Sequence, residues 1–139
     1  RKSAVYRKEE KAAKLDSEAL LDLTGLSDYR YHYATSLPYG LQRRLEIARA
    51  MASRPEIVLL DEPAAGMNEK ETDALAEFIL SINRMGYTIL LIEHDMRLVM
   101  KICQRIYVLD HGSLIFTGTP EQVKSDPRVI EAYLGKEVE

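Results

Sequence analysis

The sequence contains a single cysteine, Cys103, and no tryptophan among its 139 residues. One cysteine cannot form a disulfide within the chain, and this suits a reducing compartment. No apolar stretch approaches the roughly 20 residues that a helix needs to span a bilayer. The net charge of −3 gives no general reason to expect nucleic-acid binding. A hydrophobic content of 46% instead indicates an ordinary globular protein with one real core.

The sequence also lacks the pattern Gly-x-x-x-x-Gly-Lys-Ser/Thr, in which backbone N–H groups and a lysine hold phosphates. Its seven glycines stand at positions 25, 40, 66, 86, 112, 118 and 135, and none begins that pattern. Gly135-Lys136 is followed by Glu137, and the residue five positions before Gly135 is Ile130. The chain therefore offers no phosphate-binding loop of this type.

Helical and strand patterns alternate along the chain and predict an α/β fold. A strand, an apolar helix and a second strand in succession are typical of a parallel pair. The only cysteine lies in an apolar helical stretch, so we interpret it as a packing residue rather than a nucleophile. The first predicted helix covers 9–23, with Ala12, Leu15, Ala19, Leu20 and Leu23 on one face, and the second begins at Pro38, with Leu41, Leu45, Ala48 and Ala52 inward. A buried strand over 57–60, a helix from the Asn68 cap to Gly86 and a buried strand over 88–92 follow. The remaining elements are a short helix over 96–102, a hairpin of 105–109 and 113–117, and helices that begin at Thr119 and Asp126, the last ending at Gly135.

Acidic and imidazole side chains follow the two predicted parallel strands. Asp61 and Glu62 end the first strand, and His94 follows the second. The carboxyl ends of parallel strands share one edge of a sheet, so these three side chains are expected to converge on one ligand. An acid can hold magnesium through water, and its neighbour can activate a water molecule. The alternatives are a solvated acidic turn and a structural histidine.

A glycine stands at the start of the second predicted helix, within residues 37–42. Gly40 would let a phosphate approach the free backbone N–H groups of the helix terminus. The alternative is a tight start to the helix, with the following arginines in surface ion pairs. By itself this segment is a weak signal.

The order and spacing of these motifs resemble the ATP-binding cassette (ABC) ATPases over essentially the whole chain. The resemblance implies a partial P-loop NTPase core, with parallel strands flanked by helices, part of the helical subdomain, and a C-terminal hairpin and helices. Residues 57–62 are similar to the family's Walker B strand, and His94 to its switch histidine. The other matches are the signature motif, at Leu37, Pro38, Tyr39, Gly40, Leu41 and Gln42, and the D-loop, at Ala65, Gly66, Met67 and Asn68.

The resemblance also implies roles. Asp61 would orient Mg²⁺ through water, Glu62 would be the general base, and His94 would contact the γ-phosphate of ATP. The signature motif would cover the nucleotide of a second ATPase subunit, identical or paralogous, and permease subunits would be further partners, with no nucleic acid involved. ATP and Mg²⁺ would be the cofactors of the full-length protein, which would be cytoplasmic and peripheral on the inner face of the cell membrane.

Three positions depart from the family's usual pattern. Pro38 replaces the signature serine, Leu41 replaces a glutamine, and Asn68 stands where aspartate is common. The Tyr39-Gly40 pair and the downstream Arg-Arg-Leu-Glu-Ile-Ala-Arg look like the variant in importers of branched-chain amino acids. Residues 126–135 resemble the C-terminal extension of those importers' ATPase subunits.

In this family the P-loop precedes the signature motif, so we expect the chain to be the C-terminal half of a subunit and inactive alone. Residues 1–53 would belong to the helical subdomain, 54–118 to the catalytic core and 119–139 to a C-terminal extension. The Walker B strand would expose an edge able to pair with a second copy.

Two other functions stay open within the family: a soluble ABC ATPase without a transporter, and a non-catalytic interaction module. The intact Glu62 and His94 argue against the second. A phosphoacceptor signalling domain, with Asp61 as acceptor, would need an acidic pair after an earlier strand and a lysine after a later one. No strand with such a pair is predicted before Asp61.

Overall fold

The computed structural model of the chain describes residues 3–134. Contacts divide the chain into two compact units, one up to Ile92 and one from Glu93. The expected boundaries after residues 53 and 118 stay a prediction, and Gly135 lies outside the described residues. The elements are α1 (Ala4–Leu23), 3₁₀ turns at Ser27–Tyr29 and Ala34–Ser36, α2 (Tyr39–Met51), β1 (Ile57–Asp61), α3 (Glu69–Arg84), β2 (Thr88–Ile92), α4 (Met96–Ile102), β3 (Ile106–Asp110), β4 (Ser113–Gly118), α5 (Pro120–Ser125), α6 (Pro127–Val129) and a π-helical segment Ile130–Leu134.

Helix α3 joins the two parallel strands and forms where the sequence predicted it. The Asn68 side chain accepts a hydrogen bond from the Glu71 N–H at 3.1 Å, and the Glu71 carboxylate accepts one from the Asn68 N–H at 3.0 Å. This capping box satisfies N–H groups that the first helical turn leaves unpaired. The predicted apolar stripe is buried, at Leu75, Phe78, Ile79 and Ile82.

Strands β1 and β2 pair in parallel, as predicted, with Leu59 opposite Leu90. The prediction that both are buried on both faces is wrong for the described residues. Along β1, Val58 and Leu60 are buried, whereas Leu59 is 60% exposed. Leu90 is 54% exposed on the same face of the sheet. The continuous apolar run was read as two buried faces, but the described part of the chain covers one face.

Helix α1 begins at Ala4, five residues before its predicted start, because Ser3 caps it. The Ser3 hydroxyl accepts a hydrogen bond from the Tyr6 N–H at 3.1 Å. Its expected apolar face is largely exposed, with Leu15 at 56% and Leu23 at 46%. The 3.6-residue period identified the helix but could not show whether another element covers that face. Within residues 3–134, no helix is long and apolar enough to cross a membrane.

Helix α2 begins one residue later than predicted, at Tyr39, because Pro38 is its N-cap with an extended ψ of 147°. Its expected inward face is also partly wrong. Ala48 is buried as expected, but Ile47 and Met51 complete the buried face, whereas Leu41 and Leu45 are half-buried and Ala52 is exposed. The face is set by contacts of α2 with α3 and β1.

An arginine joins α2 to α3. The Arg44 guanidinium lies 5.1 Å from the centroid of the Phe78 ring, where its charge is attracted by the ring face. The long apolar stem of Arg44 lets it pack against a neighbouring helix while its charge stays near water.

The second unit contains the predicted hairpin. Asp110 pairs with Ser113, which leaves His111 and Gly112 as a two-residue turn with φ of 45° and 79°. Two positive φ values are those of a turn that matches the twist of antiparallel strands. The half-buried Cys103 packs against the apolar cluster of this unit, and burial raises the pKa of its thiol. A protonated, packed thiol agrees with the interpretation of Cys103 as a packing residue. The cluster comprises Val99, Ile106, Val108, Val123 and Val129.

Gly118, at the end of β4, is closed in by the next helix. Thr119 and Gln122 form the predicted capping box of α5, with the Gln122 Oε1 accepting from the Thr119 N–H at 2.9 Å. A Cβ added at Gly118 would lie 2.6 Å from that oxygen and 2.9 Å from a Phe116 ring carbon. Both side chains would have to shift, and this would disturb the half of the capping box that the Gln122 side chain makes.

We therefore expect Gly118→Ala to destabilise the second unit by about 1 kcal/mol, through overpacking and disturbance of the capping box. Thermal unfolding followed by circular dichroism measures the change. Gly40→Ala is the matched control, because a Cβ there meets no atom within 4 Å. Equal melting temperatures for the two variants would contradict the prediction.

Candidate functional site

The acid pair lies at the carboxyl end of β1, at the edge where parallel sheets bind ligands. Asp61 is the last residue of β1 and pairs with Ile92, the last residue of β2. The side chains of Asp61 and Glu62 are both exposed. Both acids therefore lie at the carboxyl end of β1, beside the end of β2.

Glu62 has an unusual backbone conformation. Its φ is 43°, in the left-handed region that favours glycine. Its N–H donates to the Ile92 carbonyl at 2.9 Å, and its carbonyl accepts from the Ala65 N–H at 3.1 Å. A residue other than glycine in this region costs on the order of 1 kcal/mol and is typical of functional sites. Hydrogen bonds on both sides hold the Glu62 backbone in this turn.

The predicted D-loop continues this turn into α3. The Met67 N–H donates to the Ala64 carbonyl at 3.0 Å, and Gly66 has a φ of 77°. Asn68 is the N-cap of α3. The segment is thus a compact connection between β1 and α3, and its assignment as a D-loop stays a prediction.

His94 follows β2 by two residues and belongs to the second unit. Its side chain is exposed, and its N–H donates to the Glu93 Oε2 at 3.2 Å. The next residue, Asp95, caps α4 by accepting from the Arg97 N–H at 2.9 Å. The convergence of His94 with the acid pair stays a prediction.

The signature-like segment forms the start of α2 and is held by its own backbone. The Leu41 and Gln42 N–H groups donate to the Pro38 carbonyl at 2.9 and 3.0 Å. The Gln42 side chain donates to the Leu37 carbonyl at 2.8 Å, and Leu37 is buried. The segment is therefore a fixed helix terminus, even though proline replaces the usual serine.

Gly40 lies in the first turn of α2 and faces open space. A Cβ at this position would meet no atom within 4 Å, and its φ lies outside the left-handed region. Neither packing nor backbone strain in the described residues therefore requires glycine here. This favours an external reason for the glycine, such as the close approach of a phosphate to the helix terminus.

Sequence reasoning missed the contacts of Tyr39. Its hydroxyl donates to the Ala65 carbonyl at 2.9 Å and accepts from the Arg43 Nη2 at 2.9 Å and Nε at 3.2 Å. Arg43 also pairs with Glu46 at 2.7 Å, and that hydrogen bond is the main reason why its pKa is raised. The spacing of Tyr39, Arg43 and Glu46 at i, i+4 and i+7 was the available signal. The contact with Ala65 had none, because it joins segments 26 residues apart.

The donor set suits a cation that keeps most of its water. Among residues 3–134, no group of three or more His, Cys, Asp or Glu side chains could hold a metal ion. Magnesium prefers one or two carboxylates together with waters and substrate phosphates. The exposed Asp61 fits that requirement, so the residues present are compatible with a magnesium–nucleotide complex.

Known protein families match this chain near its N-terminal end and near its C-terminal end. A family model described as ABC transporter matches residues 2–65, and one described as branched-chain amino acid ATP-binding cassette transporter matches residues 113–139. Among curated proteins, the chain is 49% identical to the high-affinity branched-chain amino acid transport ATP-binding protein LivG of Escherichia coli, over 97% of this chain and 53% of that protein. It is 46% identical to BraF of Pseudomonas aeruginosa, of the same description, over the same shares.

The solved structures that the chain matches are also ATP-binding cassettes of ABC transporters. The chain matches the ADP conformation of an ATP-binding cassette of an ABC transporter with a TM-score of 0.82 and 29% identity, over 89% of this chain and 50% of that one. A nucleotide-free ATP-binding cassette matches with a TM-score of 0.80. The chain thus spans about half the length of the relatives it matches.

Proposed function

Because the chain belongs to the ATP-binding cassette ATPases, we propose that it works as the C-terminal portion of the ATP-binding subunit of a branched-chain amino acid importer. The observation that carries the proposal is the 49% identity to LivG over 97% of the chain. The match of residues 113–139 to a model specific to branched-chain amino acid transporters supports the substrate class.

In this proposal Glu62 is the general base. Its exposed carboxylate, at a turn held by hydrogen bonds to Ile92 and Ala65, accepts a proton from the attacking water. Asp61, next to it at the strand end, would hold Mg²⁺ through water. Bound magnesium and ATP supply the charge neutralisation and the leaving group of phosphoryl transfer.

The signature segment serves a nucleotide held by a second ATPase subunit. The open space beside Gly40 and the positive end of the α2 helix dipole suit a phosphate oxygen. His94 would contact the γ-phosphate of ATP through a hydrogen bond. The two ATPase subunits, identical or paralogous, act with permease subunits at the inner face of the membrane.

The soluble-ATPase alternative differs in its partners rather than in its chemistry. The match of residues 113–139 to a transporter model favours the importer. Co-purification of the longer subunit with integral permease subunits would support the transporter, whereas ATP turnover without any such partner would support the alternative.

The proposal predicts a difference between this chain and a longer subunit that adds an upstream P-loop. We expect these 139 residues to show no micromolar binding of Mg-ATP by calorimetry, because no described loop and no sequence motif holds the phosphates. The longer subunit is expected to bind and hydrolyse ATP. Tight binding by the 139 residues, or no turnover by the longer subunit, would contradict the proposal.

A further inference from the structure

Tyr39 links two segments that the sequence treats as separate motifs. It belongs to the signature-like segment, and its hydroxyl donates to the carbonyl of Ala65 in the loop after β1. That loop begins with Glu62, whose carbonyl accepts from the Ala65 N–H. Two hydrogen bonds, joined by the backbone of Ala65, therefore connect the start of α2 with the turn that presents Glu62.

The Tyr39 hydroxyl has no unused capacity. A phenol offers one donor and two acceptor lone pairs. The donor is used by Ala65 and the lone pairs by the two Arg43 nitrogens. Arg43 is itself fixed, by the 2.7 Å bond to Glu46 and by its position 5.2 Å from the centroid of the Tyr39 ring. A side chain held from both sides in this way has a defined orientation.

The position of the link matters because of the strained backbone beside it. Glu62 adopts a φ of 43°, which persists only where neighbouring contacts hold it. The Ala65 N–H makes one of those contacts. Tyr39 holds the carbonyl of the same residue, so it stabilises the loop just after the strained position.

We propose that Tyr39 is a positioning residue, which ties the signature segment to the turn that presents Glu62 so that the two move together. This inference rests on the proposed function, since the signature segment and Glu62 would serve two different nucleotides. Through Tyr39, the docking of a phosphate at the start of α2 would stabilise the turn that places the general base of the other site. The two sites would then be coupled through one hydroxyl group.

The test removes that hydroxyl with Tyr39→Phe and compares it with Tyr31→Phe, which makes the same change on a ring that is 91% exposed. In this chain, hydrogen exchange of the amides of residues 64–68 is expected to be about 3- to 10-fold faster in Tyr39→Phe, the effect of losing one hydrogen bond. Tyr31→Phe is expected to leave it unchanged. Equal exchange in both variants would overturn the link.

A kinetic experiment on the longer ATPase subunit separates a positioning role of Tyr39 from a contribution to fold stability alone. Tyr39→Phe is expected to lower kcat by about 3- to 10-fold while the KM for ATP stays within twofold, because the phosphate-binding loop is untouched. Unchanged kcat, or a change in KM alone, would overturn the positioning role. No turnover in the unmodified subunit would instead overturn the proposed function, and the exchange experiment would still decide whether the link exists.

Arg43→Ala provides an independent variant, because it removes the groups that hold the hydroxyl from the other side. Its effect on kcat and that of Tyr39→Phe are expected to be non-additive, since both act on one network. Full additivity would show that Arg43 does not hold the Tyr39 hydroxyl in its working orientation and would overturn this part of the network.

Discussion

Replacing Glu62 by Gln in the longer ATPase subunit is expected to lower ATP turnover by about 100-fold or more, the contribution typical of a general base. The amide keeps the size and the hydrogen-bonding reach of the carboxylate but cannot accept the proton of the attacking water. The Glu62 backbone bonds to Ile92 and Ala65 do not involve the side chain. Because the substitution is isosteric, ATP binding and the melting temperature are expected to stay close to those of the unmodified subunit, as measured by calorimetry and thermal unfolding.

Glu56→Gln is the matched control. It makes the same isosteric change on an exposed residue that immediately precedes β1, at the end of the strand opposite to Glu62. Turnover by this variant is expected to equal that of the unmodified subunit. If Glu62→Gln kept more than about a tenth of the activity, the assignment of Glu62 as general base would be wrong, since such bases contribute about 100-fold or more.

The element order was predictable because short-range chemistry determines it. The Asn68 and Thr119 capping boxes and the turn at His111-Gly112 depend on residues close together in the sequence. The parallel pair joins residues 31 positions apart, but the order strand, helix, strand predicts it. The structure confirms each of them. The register of Asp61 with Ile92 follows from the same logic, because the carboxyl ends of parallel strands share one edge.

Burial was less predictable, because it depends on which other element covers a face. Leu59 and Leu90 belong to apolar runs that indicated full burial, yet more than half of each side chain is exposed. In α2 the buried face is shifted to Ile47 and Met51, whereas the periodicity favoured Leu41 and Leu45. A hydrophobic period determines an element's type but not the partner against which it packs.

In the candidate site, too, the position along the chain was predictable and the contacts were not. The sequence placed Asp61 and Glu62 at a strand end because two acids follow an apolar run. It gave no sign that Glu62 adopts a positive φ, or that the Tyr39 hydroxyl reaches the Ala65 carbonyl. Both features arise from contacts between segments that are distant in sequence.

Gly40→Ala is expected to lower ATP turnover without lowering the stability of the fold. Since a Cβ at Gly40 meets no atom within 4 Å and its φ suits any residue, the folded chain accommodates alanine without strain. Alanine also restricts the unfolded chain more than glycine does, so the free energy of unfolding should stay equal or rise by up to about 1 kcal/mol.

ATP turnover by the longer subunit is expected to fall in Gly40→Ala, although the free energy of unfolding does not. The added methyl would occupy the space through which a phosphate of the partner's nucleotide approaches the α2 terminus, and a displacement of about 1 Å in such a contact costs on the order of 100-fold in rate. Ala50→Gly, the reverse change at an exposed position of the same helix, is the control: it should lower stability slightly and leave turnover intact. Normal turnover by Gly40→Ala would mean that no phosphate reaches this terminus, and the signature assignment would then fail even if Glu62 proved to be the base.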